Sequence, residues 1–406
     1  MQVSIRKFLC NLRLVKALPL FANSSLRVNG TFYSTLQSSL PVEPVKIFGD
    51  NLRIQLKSSH YDFPLLWLRD NCQCEKCFHP NSQSRIIHWK TFDIDVQPEF
   101  ISTDENERKV TIKWNDDHIS EFNMDWLHDR NFTLENREHF LSDTYKPKRV
   151  TWNKDDFEPL FKRFDFASVV AEDRVLKEWL EALSVYGVAL ITNVPSGDDS
   201  RRQIANRVEF IKKTHYGEEF IIRNKPGTTN VAFLNSNLHL HTDLPYYEYK
   251  PGVNLLHCVT QSLGPDNMLS DGLYAARYFK IHDEECYRVL SQTLVDWEDY
   301  GQEGNNKFHS LFRSPVICED SYGEIVRINH SIPQRGSHFN IPIDQVGPWY
   351  KSMKKFVNFV YENAAMYKVS PGEMLCFDNR RLLHGREEYQ DTAENTRHII
   401  GAYLDW

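Results

Sequence analysis

Residues 241–257 read HTDLPYYEYKPGVNLLH and place two potential metal ligands, His241 and Asp243, ahead of an apolar strand. In a strand, residues two apart face the same side of the sheet. His241 and Asp243 can therefore reach one metal ion, while Thr242 points away. His239 is a competing ligand on the same face, and His241 is preferred because an aspartate follows it two residues later.

A second histidine, His384, lies far downstream in the strand-like run FDNRRLLHGR at residues 377–386. Two histidines and one carboxylate leave positions open on a metal, which suits a non-haem Fe(II) that also binds oxygen and a cosubstrate. The simpler alternative is a strand end with a surface histidine and a capping aspartate. Arg397 follows, and its guanidinium suits the far carboxylate of a dicarboxylate cosubstrate; taken alone, it is better explained by a surface salt bridge.

Cys72, Cys74 and Cys77 form a second potential metal site together with His118. Three thiolates and one imidazole make a closed tetrahedral zinc site, which predicts a structural role. Cys72 and Cys74 are interpreted as lying two apart on a strand, too close for an easy disulfide. His79 is an alternative fourth ligand, and His118 is favoured because it follows a turn. The alternative for the whole set is a group of unrelated buried thiols.

The bulk properties exclude several classes of protein. The chain has 406 residues, a formal net charge of −7 and a hydrophobic fraction of 41%. This length predicts two domains. The mild acidity gives no electrostatic basis for nucleic acid as the main partner. No apolar run reaches the ~20 residues that a membrane span needs, and eight cysteines are too few for a disulfide scaffold in a chain of this length.

The first 40 residues differ in composition from the rest of the chain. They carry several basic residues and serines, and no acidic residue precedes Glu43. Ile5, Leu9, Leu12 and Val15 fall at helical spacing. This pattern is typical of a mitochondrial transit peptide and predicts a location in the mitochondrial matrix. The alternative is a disordered basic tail and a cytoplasmic protein.

The remaining chain is divided into three segments. Residues 44–133 contain short strands such as Lys109–Trp114, where polar and apolar residues alternate, and are interpreted as an N-terminal zinc-binding domain. Residues 134–153 are polar and charged and are interpreted as a linker. Residues 154–406 are interpreted as the domain that carries the iron site.

The periodicity of this last segment predicts its fold class. Apolar residues at helical spacing predict three helices, around residues 176–183, 204–211 and 349–360. Gly187 and Gly217 are the expected ends of the first two. Strand-like runs occupy residues 188–194, 253–258, 324–328, 373–377 and 398–404. Few helices and many scattered short strands predict a mainly β fold with flanking helices, a double-stranded β-helix of the jelly-roll or cupin type.

A series of motifs follows in order along the chain: Leu66–Cys72, Cys74, Cys77, Trp114–His118, His241-Thr242-Asp243, Pro251-Gly252-Val253, Asp271-Gly272 and His384-Gly385-Arg386. In this order they resemble the γ-butyrobetaine dioxygenase and trimethyllysine dioxygenase family. The resemblance covers roughly residues 47–406, and an ordered set is stronger than any single motif. The ending, residues 397–406, is more similar to the butyrobetaine member.

The resemblance implies a homodimer with an N-terminal zinc domain and a double-stranded β-helix core. It implies Fe(II) held by His241, Asp243 and His384, and 2-oxoglutarate held by Arg397. Asn267 stands where the family has a small hydroxyl residue that helps to hold 2-oxoglutarate. The resemblance further implies O2 as cosubstrate, ascorbate as reductant, and a reaction in which 2-oxoglutarate is decarboxylated to succinate while γ-butyrobetaine is hydroxylated to carnitine.

The substrate site implied by the resemblance is an aromatic cage, because a trimethylammonium group cannot donate hydrogen bonds. Tyr216 and Tyr403 match cage tyrosines, and Asn230 matches a polar contact to the substrate carboxylate. Phe220 replaces a cage tryptophan, and Ser331 replaces a second substrate-binding asparagine. Each tyrosine taken singly is also compatible with ordinary half-buried packing.

One further departure bears on the substrate. Leu244 follows His-Thr-Asp where the butyrobetaine enzyme has a tyrosine. The alternatives are therefore trimethyllysine or another betaine as substrate, or a paralogue that binds a ligand without catalysis.

Overall fold

A computed structural model describes residues 45–104, 106–145, 148–197, 199–223, 236–262, 267–303, 306–389 and 396–405. The expected transit peptide and Asn230 lie outside these residues. The chain separates into two compact units between residues 147 and 148, inside the segment interpreted as a linker. In the described ranges, no helix is long and apolar enough to cross a membrane.

The N-terminal unit is built from short antiparallel strands. A three-stranded sheet contains β1 (Val45–Phe48), β2 (Asn51–Leu56) and β3 (Ser59–Pro64), a hairpin pairs β4 (Phe78–His79) with β5 (Ser84–Arg85), and a second three-stranded sheet contains β6 (Pro98–Asp104), β7 (Lys109–Trp114) and β8 (Ile119–Asn123). The helical segments are α1 (Leu65–Asp70), a 3-10 turn (Trp89–Thr91), α2 (Met124–His128), α3 (Leu134–His139) and a π-helical turn (Phe140–Tyr145).

Alternation of polar and apolar residues explains the core of this unit. Val110, Ile112 and Trp114 on β7 are fully buried, as the sequence predicts for one face of a strand. They pack against apolar residues of β2, β3 and β8. The segment interpreted as a linker is not extended throughout, because α3 begins at Leu134 with the Thr133 hydroxyl as its N-cap.

The C-terminal unit contains a six-stranded and a four-stranded sheet. The six-stranded order is β11–β22–β13–β20–β10–β9, with bounds Glu219–Ile222, His398–Leu404, Val253–Thr260, Met374–Asp378, Val188–Thr192 and Lys162–Asp165. The four-stranded order is β12–β21–β14–β19, with bounds Leu238–His241, Leu382–Arg386, Asn267–Asp271 and Ala365–Tyr367. Two hairpins pair β15 (Val295–Glu303) with β16 (Asn306–Ser314) and β17 (Ile317–Glu319) with β18 (Ile325–Ile328).

The C-terminal unit also contains helices, most of which pack on the outer faces of the two sheets, while Phe157 of the first packs in the interior between them. They are α4 (Phe157–Leu160), α5 (Phe166–Ala171), α6 (Asp173–Tyr186), α7 (Ser200–Val208), α8 (Gly272–His282), α9 (Glu284–Gln292) and α10 (Ile343–Glu362). Val188 and Leu190 face the interior between the sheets, where they meet Leu269 and Leu382 of the smaller sheet. Ala189 on the opposite face packs with α5, α6 and α7. The strand is apolar throughout because both of its faces are buried.

The fold class predicted from the sequence is confirmed. The first predicted helix is α6, which ends at Gly187 in the left-handed conformation with φ 81°, and the third is α10. All five predicted strands are present, with ends that differ by at most two residues. The second helix is shorter than predicted, because α7 ends at Val208 and Ile211 instead forms a β-bridge with Leu404. Helices α8 and α9 were not predicted.

Candidate metal centre and substrate pocket

His241 is the last residue of β12, and Asp243 lies beyond the end of the strand. The prediction that one strand carries both residues is therefore wrong for Asp243. Its position depends on Asn379, a fully buried residue that follows β20. The Asp243 N–H donates to Asn379 Oδ1 at 2.7 Å, and the Asn379 amide donates to the Asp243 carbonyl at 3.0 Å. A contact between residues distant in sequence thus holds the carboxylate beside His241.

A β-bulge brings the two histidines together. β12 pairs with β21 so that His241 stands opposite His384, and next to this pair Gly385 opposes two residues of β12. A Cβ at Gly385 would lie 2.6 Å from the backbone oxygen of Leu238. Glycine is therefore required where the two strands approach, and the imidazole rings of the two histidines lie 4.3 Å apart between centroids.

The potential ligand atoms of His241, Asp243 and His384 all lie within 4.8 Å of one another. Asp243 Oδ1 is 3.2 Å from His241 Nε2 and 3.7 Å from His384 Nε2. Metal–ligand bonds of ~2.1 Å at right angles place neighbouring donor atoms ~3 Å apart, so the set fits one metal ion. His241 Nδ1 lies 2.8 Å from the carbonyl oxygen of His239. An N–H at that atom leaves the Nε2 lone pair facing the metal position.

The second carboxylate oxygen of Asp243 is held by Asn254, whose amide donates at 2.7 Å, and by the Tyr403 hydroxyl at 3.1 Å. Burial favours the neutral acid, but the adjacent His384 and His241 and a hydrogen bond from Asn254 favour the carboxylate and hold the pKa of Asp243 well below its usual range. Burial and the neighbouring His241 lower the pKa of His384 to about 3. At neutral pH the site therefore offers an anionic carboxylate and a neutral His384 imidazole, the forms that bind metal.

Sequence reasoning missed the residues that orient the cluster. Asn254, Asn379 and Gly385 belong to the motifs or strands quoted above. Residue type and spacing do not distinguish an asparagine that orients a metal ligand from one that only stabilises the fold. His239, the competing ligand, is directed elsewhere, since its Nδ1 lies 3.2 Å from the Tyr361 hydroxyl.

Arg397 lies immediately before β22 and is buried. Its guanidinium lies over the ring of Tyr389 at 5.5 Å, and that of Arg386 lies over the same ring at 4.6 Å. The positive charge of Arg397 lowers the pKa of the Cys258 thiol, which lies in the interior between the sheets, but burial raises that pKa by more. Asn267 stands opposite Arg386 and donates its side-chain amide to a backbone carbonyl at 3.0 Å. Arg386 and Tyr389 were not predicted.

The metal cluster opens into a pocket lined by aromatic side chains. Of the expected substrate residues, the structure brings together Tyr216, Phe220, Ser331 and Tyr403 at this pocket, and His241, Asp243 and His384 line it as well. The rings of Phe220 and Tyr403 stack at 4.9 Å, and those of Tyr216 and Phe220 lie 6.2 Å apart. Leu244 also lines the pocket.

Gly401 is needed for the position of Phe220. A Cβ at Gly401 would lie 2.2 Å from the nearest atom of the Phe220 ring, which therefore rests directly on the glycine backbone. The two residues stand opposite each other in the pairing of β11 with β22. No rule of periodicity points to this contact.

The N-terminal unit contains the second potential metal site. His118 Nε2 lies 3.2, 3.6 and 3.4 Å from the sulfur atoms of Cys72, Cys74 and Cys77. Tetrahedral zinc with Zn–S of ~2.3 Å and Zn–N of ~2.1 Å places sulfur and nitrogen ~3.5 Å apart, so the set fits zinc. The cysteines lie in the loop after α1, and the strand predicted for them is wrong. The ring of His79 contacts a serine hydroxyl instead.

Arg69 supports this site from α1 and was not predicted. Its guanidinium donates to Cys77 Sγ at 3.6 Å and to Asp116 at 2.8 Å. The Asp116 carboxylate accepts the backbone N–H of His118 at 3.1 Å. In a zinc-bound cluster the positive charge of Arg69 would offset the negative charge of the three thiolates, and the chain of contacts orients the imidazole.

A ligand set of two imidazoles and one carboxylate, carried by a fold of two sheets, defines the class of this chain. The class is the non-haem iron oxygenases. Residues 150–403 match the family described as taurine catabolism dioxygenase TauD, TfdA family, and residues 48–128 match the gamma-butyrobetaine hydroxylase-like N-terminal family. The chain belongs to the TauD and TfdA dioxygenase family and is a 2-oxoglutarate-dependent dioxygenase.

Individual relatives confirm the resemblance predicted from the motifs. Gamma-butyrobetaine dioxygenase of Homo sapiens is 32% identical over 347 residues, which cover 85% of this chain and 88% of that protein. Mitochondrial trimethyllysine dioxygenase of Rattus norvegicus is 27% identical over 360 residues, 87% of this chain and 83% of that protein. A solved structure of a taurine dioxygenase from Burkholderia xenovorans aligns with 63% of this chain and 89% of its own, at 12% identity and a TM-score of 0.45.

Proposed function

We propose that this protein hydroxylates γ-butyrobetaine to carnitine in an Fe(II)- and 2-oxoglutarate-dependent reaction. The observation that carries the proposal is the continuity of the candidate metal cluster with a pocket walled by Tyr216, Phe220 and Tyr403. Aromatic faces bind a quaternary ammonium group, which has no hydrogen to donate. Further support comes from the relatives, since the identity to the human butyrobetaine enzyme, 32%, exceeds that to the rat trimethyllysine enzyme, 27%.

In this proposal His241, Asp243 and His384 bind Fe(II), and Arg397 binds the far carboxylate of 2-oxoglutarate with help from Asn267. Bound iron supplies oxygen activation coupled to the decarboxylation of 2-oxoglutarate to succinate, with ascorbate as reductant. The protein groups orient this chemistry. Asn254 and Tyr403 both donate hydrogen bonds to Oδ2 of Asp243. Oδ1 of the same carboxylate therefore faces the histidines.

The substrate is bound at its two ends. Tyr216, Phe220 and Tyr403 surround the trimethylammonium group. The polar side chains of Ser331 and Gln334 line the same pocket and suit the carboxylate end, together with Asn230 from the sequence match. Tyr403 then has two tasks, because its ring faces the pocket and its hydroxyl donates to Asp243.

The test is a turnover assay on the full chain with γ-butyrobetaine, trimethyllysine and other betaines, in which hydroxylated product and succinate are measured together. We expect product from γ-butyrobetaine that requires both Fe(II) and 2-oxoglutarate. Product from trimethyllysine alone would assign the protein to the neighbouring activity. If no compound raises succinate release above the substrate-free level, the chain is a non-catalytic paralogue.

Three features of the wider protein complete the proposal. Cys72, Cys74, Cys77 and His118 bind a structural zinc, which elemental analysis of the purified protein tests. Residues 1–40 direct the protein to the mitochondrial matrix, so a fluorescent fusion that lacks them should remain cytoplasmic. The protein is a homodimer, and a monomeric mass by light scattering would contradict this.

A further inference from the structure

We propose that Asp299 selects for a cationic head group by placing a fixed negative charge behind the aromatic pocket. This inference rests on the proposed function and names a residue that no sequence motif singled out. Asp299 does not line the pocket itself. It acts through the side chains packed between its carboxylate and the pocket wall.

Asp299 lies on β15, opposite Ser310 of β16, with its side chain 21% exposed. Its Oδ2 is 3.9 Å from His215 Nε2. The His215 ring stacks on Phe308 of the same hairpin, with centroids 3.8 Å apart and an interplanar angle of 8°. The same ring lies 3.8 Å from that of Tyr216, which lines the pocket. A single imidazole therefore separates the carboxylate from the pocket wall.

Tyr246 is fully buried beside this stack, with its ring 6.0 Å from that of His215. Burial raises the pKa of the Tyr246 hydroxyl well above its usual value. The Tyr216 hydroxyl and the Asp299 carboxylate raise this pKa further. Tyr403, the second pocket tyrosine, adds to the same effect. Burial also raises the pKa of the Asp299 carboxyl, and Tyr246 partly opposes this. A partly desolvated carboxylate of this kind is stabilised by an approaching cation.

Asp296, on the same strand, has an arginine partner that compensates its negative charge, whereas Asp299 has no such partner in the described ranges. Asp296 is paired with Arg313 at 2.6 Å. Within the described ranges, no lysine or arginine nitrogen lies within 4.0 Å of the Asp299 carboxylate, and the nearby His215, at 3.9 Å, carries a charge only when it is protonated. Charges in a partly buried site act over longer distances than in water. A trimethylammonium group keeps its charge at every pH, and it is therefore a suitable counter-charge.

The test compares γ-butyrobetaine with 5,5-dimethylhexanoate, in which carbon replaces the nitrogen and the head group is neutral. Binding of both ligands to wild type and to Asp299→Asn is measured by titration calorimetry on the full chain with Mn(II) and 2-oxoglutarate, so that the comparison does not depend on turnover. We expect wild type to prefer the cation, and Asp299→Asn to bind it about tenfold more weakly, which corresponds to about 1.4 kcal/mol. Binding of the neutral ligand should stay within about twofold.

Two variants separate charge from structure. Glu298→Gln removes the same charge at the next position, whose side chain faces the other side of the strand, and should leave the preference unchanged. Asp299→Glu keeps the charge and should retain the preference. Equal weakening of both ligands in Asp299→Asn, or no change in either, overturns the inference. So does a wild-type protein that binds the two ligands equally or binds neither.

The proposed function is judged separately, by turnover. Preferential binding of γ-butyrobetaine without hydroxylated product would refute the assigned reaction and leave the role of Asp299 in charge selection intact.

Discussion

Gly385→Ala should impair the metal centre without adding or removing any polar group. Gly385 follows His384 on β21 and faces the bulge of β12 that ends at His241. A Cβ at this position would lie 2.6 Å from the Leu238 oxygen, and 3.1 Å from backbone atoms of the next two residues. These are backbone atoms, so no flexible side chain can move aside.

The expected losses of stability and activity follow from how far the two strands must separate to relieve this clash. An ordinary contact of ~3.4 Å requires the two strands to separate by about 0.8 Å, which displaces His241 from His384 by a similar amount. Overpacking of this kind costs ~1–3 kcal/mol, or roughly 4–8 °C in melting temperature for ~2 kcal/mol in a unit of this size. A displacement of ~1 Å at a reacting centre lowers the rate by ~100-fold, so we expect a loss of that order in kcat/KM.

The assay measures kcat/KM with γ-butyrobetaine, Mn(II) affinity by calorimetry, and thermal melting on the same preparations. Gly347→Ala is the matched control, because Gly347 is exposed on α10 and a Cβ there meets no atom of another element within 4 Å. That variant should keep full activity and metal affinity, and no gain in stability is expected because the following Pro348 disfavours a Cβ at this helical position. Wild-type rate and metal affinity in Gly385→Ala would refute the reasoning.

Three other perturbations address the iron site, the zinc site and the pH dependence of stability. Asp243→Ala removes the only carboxylate of the candidate iron cluster, so turnover should fall by more than the ~10–100-fold that outer-shell changes produce, measured as succinate release. Cys74→Ser opens the closed zinc site, so zinc content should fall towards zero and the melting temperature by at least ~5 °C, while residual chemistry changes less. Burial lowers the pKa of His257 to about 4 from 6.5. The unfolded chain binds a proton at His257 more readily than the folded protein does. The free energy of unfolding is therefore highest above pH ~6.5 and decreases as the pH falls towards 4, by up to ~3 kcal/mol. Chemical denaturation at several pH values measures this decrease.

Controls make these outcomes specific. Cys318→Ser alters a buried thiol outside the zinc cluster and should keep the zinc. His257→Gln should flatten the loss of stability between pH 6.5 and 4, and an unchanged slope would contradict the assignment to His257. Near wild-type turnover in Asp243→Ala would rule out the iron cluster. A Cys74→Ser protein without zinc but with unchanged melting would remove the structural role of the zinc.

Local pattern was sufficient for much of the fold. Helix α6 was predictable because its apolar residues recur at helical spacing and Gly187 can adopt the left-handed conformation that ends it. Strand β7 was predictable because its buried face alternates with polar residues. The end of α7 was not, since Ile211 fits the helical spacing and yet pairs with Leu404 from the end of the chain. Tertiary pairing overrides propensity at such a position.

The amino-acid sequence by itself determined which chemical groups are present and in what order: His241, Asp243 and His384 as candidate iron ligands, and three cysteines with His118 as candidate zinc ligands. Ligand type follows from side-chain chemistry, which does not depend on the fold. Only the tertiary structure decided how these groups are oriented. Asn379, which follows a strand of one sheet, positions Asp243, which follows a strand of the other, and Asp299 of the β15–β16 hairpin lies 3.9 Å from His215. Residues distant in sequence make these contacts, so neither periodicity nor spacing encodes them.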